Sequence, residues 1–271
     1  MITSPNETVL TDVSDGICRV TFNRPKALNA ISADVMIALR DITAQIRDSH
    51  DVRVVIMQGQ GDHFMAGGDV KAFKTMLDAE PDRDKTAEMF NERLTRVHAT
   101  IENMRAMPQP IIASVRGAAA GAGVSIVLAC DLALAADDAF FTLAYCHIGT
   151  SPDGGSTYHL PRAVGMKKAM EIALLGDRFT VQEALQWGLI NRIVPAADLA
   201  AETDKLASRL ARAAGRANAE AKALLNAASH ASLKDQLDTE KAAFIRNTRT
   251  RDFFEGITAF TEKRKPGFKG E

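Results

Sequence analysis

The chain has 271 residues, 46% of them apolar and 25% charged, with 33 Lys and Arg against 34 Asp and Glu for a net charge of −1. That is the make-up of a globular enzyme with one sizeable core, and it excludes a global basic field for nucleic acid, so any anion has to be held by a local cluster. Cys18, Cys130 and Cys146 are scattered without CxxC spacing, which points to neither a disulfide framework nor a zinc site.

In chain order, residues 1–10 lack the basic start and apolar block of a secretion signal, so a cytoplasmic protein is expected. Residues 16–22 alternate as a strand does, and Asn23-Arg24-Pro25 ends it. Ser32 is placed to cap a helix whose apolar residues Val35, Met36, Leu39, Ile42 and Ile46 recur at helical spacing. Residues 53–58 return as a β-branched strand, and a helix is expected over 87–104. A similar strand-turn-helix unit follows over 110–136, and a looser one over 140–173. The uncharged stretch 117–130 is too short and too rich in Gly and Ala for a membrane span, and Arg116 and Asp131 bracket it, so it reads as a buried helix. Thr180 is placed to cap a helix running to Trp187. Residues 197–262 are almost wholly helical in composition, and Pro266-Gly267 ends regular structure. The expected division is a core over 1–195 and a helical region over 196–271 that packs against another subunit.

Two Gly/Ala-rich stretches carry the chemistry: His63-Phe64-Met65-Ala66-Gly67-Gly68-Asp69 and Gly117-Ala118-Ala119-Ala120-Gly121-Ala122-Gly123. Each follows a strand-like run and precedes an expected helix. Small residues let a ligand approach the backbone, and a helix start leaves N–H donors unpaired. Two such turns can grip one oxygen as it gains negative charge, each donor being worth ~3–4 kcal/mol of barrier. Tight packing turns would show the same composition.

Asn23-Arg24-Pro25-Lys26-Ala27-Leu28-Asn29-Ala30, both glycine turns, Pro152-Asp153-Gly154-Gly155-Ser156-Thr157, Leu160-Pro161-Arg162-Ala163-Val164-Gly165 and Phe260-Thr261-Glu262-Lys263-Arg264 occur in consistent order. On these motifs the chain resembles the crotonase (enoyl-CoA hydratase/isomerase) superfamily over roughly residues 10–268. The resemblance implies an α/β fold, a spiral of ββα units with a helical C-terminal trimerisation region, assembled as a homotrimer or dimer of trimers. It implies acyl-CoA thioester substrates, with coenzyme A entering as part of the substrate. No nicotinamide, flavin or metal cofactor is implied, and no nucleic-acid or membrane partner.

Carried over by position, the oxyanion-hole donors are the N–H groups of Gly68 and Ala122. Lys26, Ala27 and Leu28, with Ala66, Asp69 and Val70, fall on the coenzyme A path. Phe260 and Lys263 complete its nucleotide pocket from a neighbouring subunit. The chain departs from the hydratase pattern where that pattern carries two glutamates, which fall at Ser125 and Tyr145. A hydroxyl at either position is no general base near neutral pH, so two-glutamate hydration is disfavoured. Asp153 falls where some isomerases and the 4-chlorobenzoyl-CoA dehalogenases carry a catalytic aspartate. His98 falls where those dehalogenases carry the histidine that activates water, and Tyr145 where they hold a ring-contact residue.

The expected activity is isomerisation: Asp153 takes a proton from one carbon of an enoyl-CoA and returns it at another. The alternatives are a hydrolytic aryl-CoA dehalogenase-like enzyme with an Asp153 nucleophile and a His98 base, a hydratase with a non-standard base, and a non-catalytic CoA-binding protein. The other histidines show no metal-ligand spacing.

Overall fold

The computed structural model describes residues 2–270. The chain opens with β1 (Val9–Ser14), β2 (Ile17–Phe22), α1 (Ala33–Arg47), β3 (Val54–Gly59), α2 (Val70–Ala79) and α3 (Arg83–Ala106). It continues through β4 (Ile111–Val115), β5 (Ala118–Ala120), α4 (Ala122–Ala129), β6 (Leu132–Ala136) and β7 (Phe140–Thr142). Next come α5 (Ser156–Val164), α6 (Met166–Leu175), β8 (Phe179–Thr180), α7 (Val181–Gln186) and β9 (Arg192–Val194). Four helices close it: α8 (Leu199–Ala211), α9 (Gly215–Ala228), α10 (Leu233–Asn247) and α11 (Arg251–Thr261). No helix is long and apolar enough to cross a membrane among the described residues.

The main sheet has the order β1-β2-β3-β4-β6-β9. Asp15 and Gly16, both at positive φ, turn the antiparallel β1–β2 hairpin. Every other pairing in this sheet is parallel, and such strands are buried on both faces. Alternation then divides their side chains. Val20, Val55, Met57, Ile111, Ala113 and Val115 face the large core, with α1 and α4. Ile17, Val54, Ile56, Ile112 and Leu134 face a second core.

Leu199, Ala207 and Ala211 of α8 close that second core, with Leu206 and Leu210 against it. The first helix beyond residue 195 is therefore packed on the core sheet. The outer sheet face is apolar and has to be covered, and α8 covers it. α9 is tied down as well: Lys222 Nζ pairs with Asp131 at 2.8 Å and donates to the carbonyls of Met104 and Gln109. Leu199, Leu206 and Leu210 are thus used within the chain. Leu225, Leu237 and Phe244, with Phe254, Ile257 and Phe260, stay 55–85% exposed.

A small sheet of order β5-β7-β8 builds the site. Met65 bridges to Ala119 in parallel, and Ala119 pairs in register with Phe141. Successive turns of the spiral therefore lie side by side at Met65, Ala119 and Phe141.

Candidate active site

That register explains how two distant turns meet. Gly68 comes three residues after Met65, and Ala122 three residues after Ala119. A Cβ on Gly67 would stand 3.1 Å from the Ala120 carbonyl oxygen, and one on Gly121 3.6 Å from Gly67 Cα. Gly121, at φ 49° and ψ −119°, precedes the first residue of α4 in a conformation suited to glycine. Gly123 is held as tightly, since a Cβ there would reach within 2.4 Å of Met65 O. Among the described residues, neither the Gly68 nor the Ala122 N–H donates a hydrogen bond. Neighbouring groups are satisfied: Ile31 N donates to Gly67 O at 2.7 Å, Asp69 N to Ile31 O at 3.2 Å, and Gly121 N to Thr142 O at 2.9 Å. Two unpaired donors on touching turns have the form an anionic oxygen needs.

Tyr145 follows Phe141 by four residues, in a short 3₁₀ turn (Tyr145–Ile148). Its ring lies 3.9 Å from the Cβ position of Gly121. Its hydroxyl donates to Asp153 Oδ1 at 2.5 Å. Burial first, and then the charge of Asp153, push the phenol well above its ordinary range, so it is a donor and not a base at neutral pH.

Ser125 lies one turn after Ala122 on α4, 1% exposed, and donates to the Asp153 carbonyl at 3.0 Å. Ser156 adds its hydroxyl at 2.9 Å and its N–H at 3.1 Å to the same oxygen. Gly154 keeps this loop close, because a Cβ there would meet Ser125 Cβ at 3.0 Å. The two positions where the resemblance implies missing glutamates thus both supply donors to Asp153. The spacing of Ser125 from Ala122 carried a signal for this that needed the loop's position to be read.

Among the described residues, no hydrogen bond joins His98 to Asp153, whose partners are Ser125, Tyr145 and Ser156. The His98 side chain is exposed on α3, and the neighbouring Val97 and Ile101 are the residues that face Gly154 and Gly155, at 3.8 and 3.4 Å from their Cβ positions. A helical step of about 100° carries residue 98 off that face. Phe73 is an addition to the expected set: its ring tip lies 2.8 Å from the Cβ position of Gly68, with Phe90 edge-on at 5.1 Å and Arg93 over its face.

The expected coenzyme A residues fall into two groups. Lys26, Ala27 and Leu28 form a 3₁₀ turn (Pro25–Ala27) and its left-handed cap, and Ala66 N donates to Leu28 O at 3.0 Å. Asp69 joins them through Arg24 at 2.9 Å and caps α2 by accepting from Ala72 N. Burial opposes its ionisation most strongly, yet the Ala72 amide and the Arg24 guanidinium together hold its carboxyl below the usual value. Val70 is exposed beside it. Phe260 and Lys263 lie at the end of α11, Phe260 at 85% exposure, and neither is hydrogen-bonded to the Lys26–Val70 cluster.

His63 Nδ1 accepts from Ala118 N at 3.1 Å and so ties the two glycine turns together. Cys18 is buried, which pushes its thiol up to about 12. No cluster of three or more His, Cys, Asp or Glu side chains is arranged to hold a metal among the described residues.

The model of the enoyl-CoA hydratase/isomerase family matches residues 12–271. The 1,2-epoxyphenylacetyl-CoA isomerase of Escherichia coli K12 is 33% identical, over 98% of this chain and 99% of its own. The crotonyl-CoA hydratase of Syntrophomonas wolfei is 33% identical, over 97% and 98%. The crystal structure of an enoyl-CoA hydratase from Polaromonas sp. JS666 superposes with a TM-score of 0.89 at 32% identity, over 96% of this chain and 99% of that one. Matched along almost its whole length in sequence and in fold, the chain belongs to the enoyl-CoA hydratase/isomerase family, which acts on acyl-CoA thioesters.

Proposed function

We propose that this protein is an enoyl-CoA isomerase that moves a carbon–carbon double bond through an enolate. The observation that carries the reading is the holding of Asp153. Its carbonyl is clamped by Ser125 and Ser156, and one carboxylate oxygen is engaged by a phenol that stays protonated. The second oxygen, Oδ2, accepts no hydrogen bond among the described residues and is the base. It takes a proton from one carbon of the bound thioester, and the C–H electron pair shifts so that the carbonyl oxygen becomes an enolate. The Gly68 and Ala122 N–H groups hold that oxygen as its charge grows. Asp153, now a carboxylic acid, returns the proton at the other end of the three-carbon unit. Mass is unchanged.

A hydratase of the two-glutamate kind needs acids where this chain has Ser125 and Tyr145. The hydrolytic alternative asks for His98 beside Asp153, and its exposed place on α3 gives that alternative no support. In our reading Lys26, Ala27, Leu28, Ala66, Asp69 and Val70 bind coenzyme A. Phe260 and Lys263 reach a neighbouring subunit's nucleotide, within a homotrimer or dimer of trimers. Exposed Leu225, Leu237, Phe244, Phe254 and Ile257 supply the apolar surface such an assembly needs.

The test is a panel of enoyl-CoA and aryl-CoA thioesters read by mass, in water and in deuterium oxide. Isomerisation gives an unchanged mass in water, a new double-bond position and exchange at the mobile carbon. Asp153→Asn lowers turnover by at least ~10²-fold with little change in thioester affinity. Gain of one water, loss of halide, or full activity of the Asn variant would overturn the mechanism.

A further inference from the structure

Behind the catalytic loop, a cleft of about 300 Å³ opens between α3, α5 and α9. Arg105, Tyr158, His159, Arg162 and Asn226 line it. Tyr158 is the centre of a stack, with the Arg162 guanidinium 3.8 Å and the Arg105 guanidinium 5.8 Å from its ring centroid. His230, at the end of α9, stacks on the same ring and meets its hydroxyl at 2.8 Å. The aromatic plane thus holds two guanidinium groups at one opening, where they would otherwise repel each other. Among the described residues, the Arg105 side chain donates no hydrogen bond, and Arg162 donates one, to Tyr158 O.

His159 forms part of the cleft's lining. It is 8% exposed, and its imidazole has no hydrogen-bond partner among the described residues. The ring borders an open cavity flanked by two cations, so its nitrogens are free to meet a ligand there. The one carboxylate in the lining, Asp131, is already engaged by Lys222 and by the Ile111 amide at 2.8 Å. The cleft therefore carries unanswered positive charge, an idle ring N–H and the Asn226 amide close by.

We propose that this cleft binds a small oxyanion, the phosphate or carboxylate group of a metabolite, between Arg105 and Arg162 with His159 beneath it. Guanidinium forks are suited to either group. The site also has a mechanical connection to the catalytic loop. His159 Cδ2 lies 3.4 Å from the Cβ position of Gly155, so the ring backs the turn that carries Asp153. The proposal does not depend on the isomerase reading, and its test needs no turnover.

The probe is inorganic phosphate, titrated at constant ionic strength against chloride, with citrate as the carboxylate arm. The readout is the His159 imidazole signal by NMR, with molecular mass followed by light scattering. A saturable shift of that signal is expected, together with a rise of its titration midpoint by about one pH unit or more, as an adjacent opposite charge produces. Both effects vanish in Arg105→Gln/Arg162→Gln. The single Arg162→Lys variant, which keeps the charge and loses the fork, weakens binding without abolishing it. Phosphate without citrate, or the reverse, identifies which group the site takes. A shift that does not saturate, one that survives in the double Gln variant, or one that appears only with a change in mass would overturn the proposal.

Discussion

His159 ties the pH dependence of stability to the catalytic loop. Burial first, and then the charges of Arg105 and Arg162, lower its pKa from 6.5 to about 4. The groups around the ring are Arg105 on α3, Arg162 and Tyr158 on α5, His230 at the end of α9, and the Asp131–Lys222 pair beyond them. The unfolded chain takes up the proton first as pH falls. Stability is therefore unaffected above about 6.5, drops between about 6.5 and 4, and loses nothing further from this group below about 4. At 1.36 kcal/mol for each pH unit, the gap sets an upper bound of about 3 kcal/mol, which solvent in the cleft lowers. Urea unfolding of the wild type and of His159→Gln, at fixed protein concentration in chloride from pH 7.5 to 4, isolates it, because the carboxylates shared by both proteins cancel in the difference. The wild type loses between about 1 and 3 kcal/mol relative to the variant across that window. Two curves that stay parallel would refute the buried, neutral imidazole.

Ala122→Pro removes one oxyanion donor and lowers turnover by ~10²–10³-fold in a variant whose circular dichroism is unchanged; near-normal rates would remove residue 122 from the site. Ser125→Ala leaves the Asp153 carbonyl with both Ser156 donors, so kcat falls only about fivefold for a lost hydrogen bond of about 1 kcal/mol, at unchanged KM. A loss as large as that of Asp153→Asn would mean that Ser125 handles the proton itself. Static light scattering at micromolar concentration gives a mass three or six times that of the chain, and Phe244→Asp reduces it. A monodisperse monomer would exclude a nucleotide site shared through Phe260 and Lys263.

Local signals were legible in the sequence because they act over a few residues. Ser32 caps α1 through Val35 N, and Thr180 with Glu183 forms a capping box on α7, both from side chains next to the backbone they satisfy. Strands β2, β3 and β4 follow their apolar runs, and the glycine turns mark where backbone has to pass backbone. The Pro152-Asp153-Gly154-Gly155 loop singled out its aspartate. What the sequence could not show depends on groups far apart along the chain. The in-register bridging of Met65, Ala119 and Phe141 is what sets Gly68 beside Ala122 and turns Tyr145 toward Asp153. Composition marked residues 199–211 as helix, but only the fold showed that α8 covers the apolar outer face of the main sheet. His98 and Val97 are neighbours on one helix, and only the packing of α3 against the Gly154 turn decided which of them faces the loop. Caps and periods are properties of a segment, whereas a site assembled across a parallel sheet is a property of its register, and register is settled only when the whole core closes.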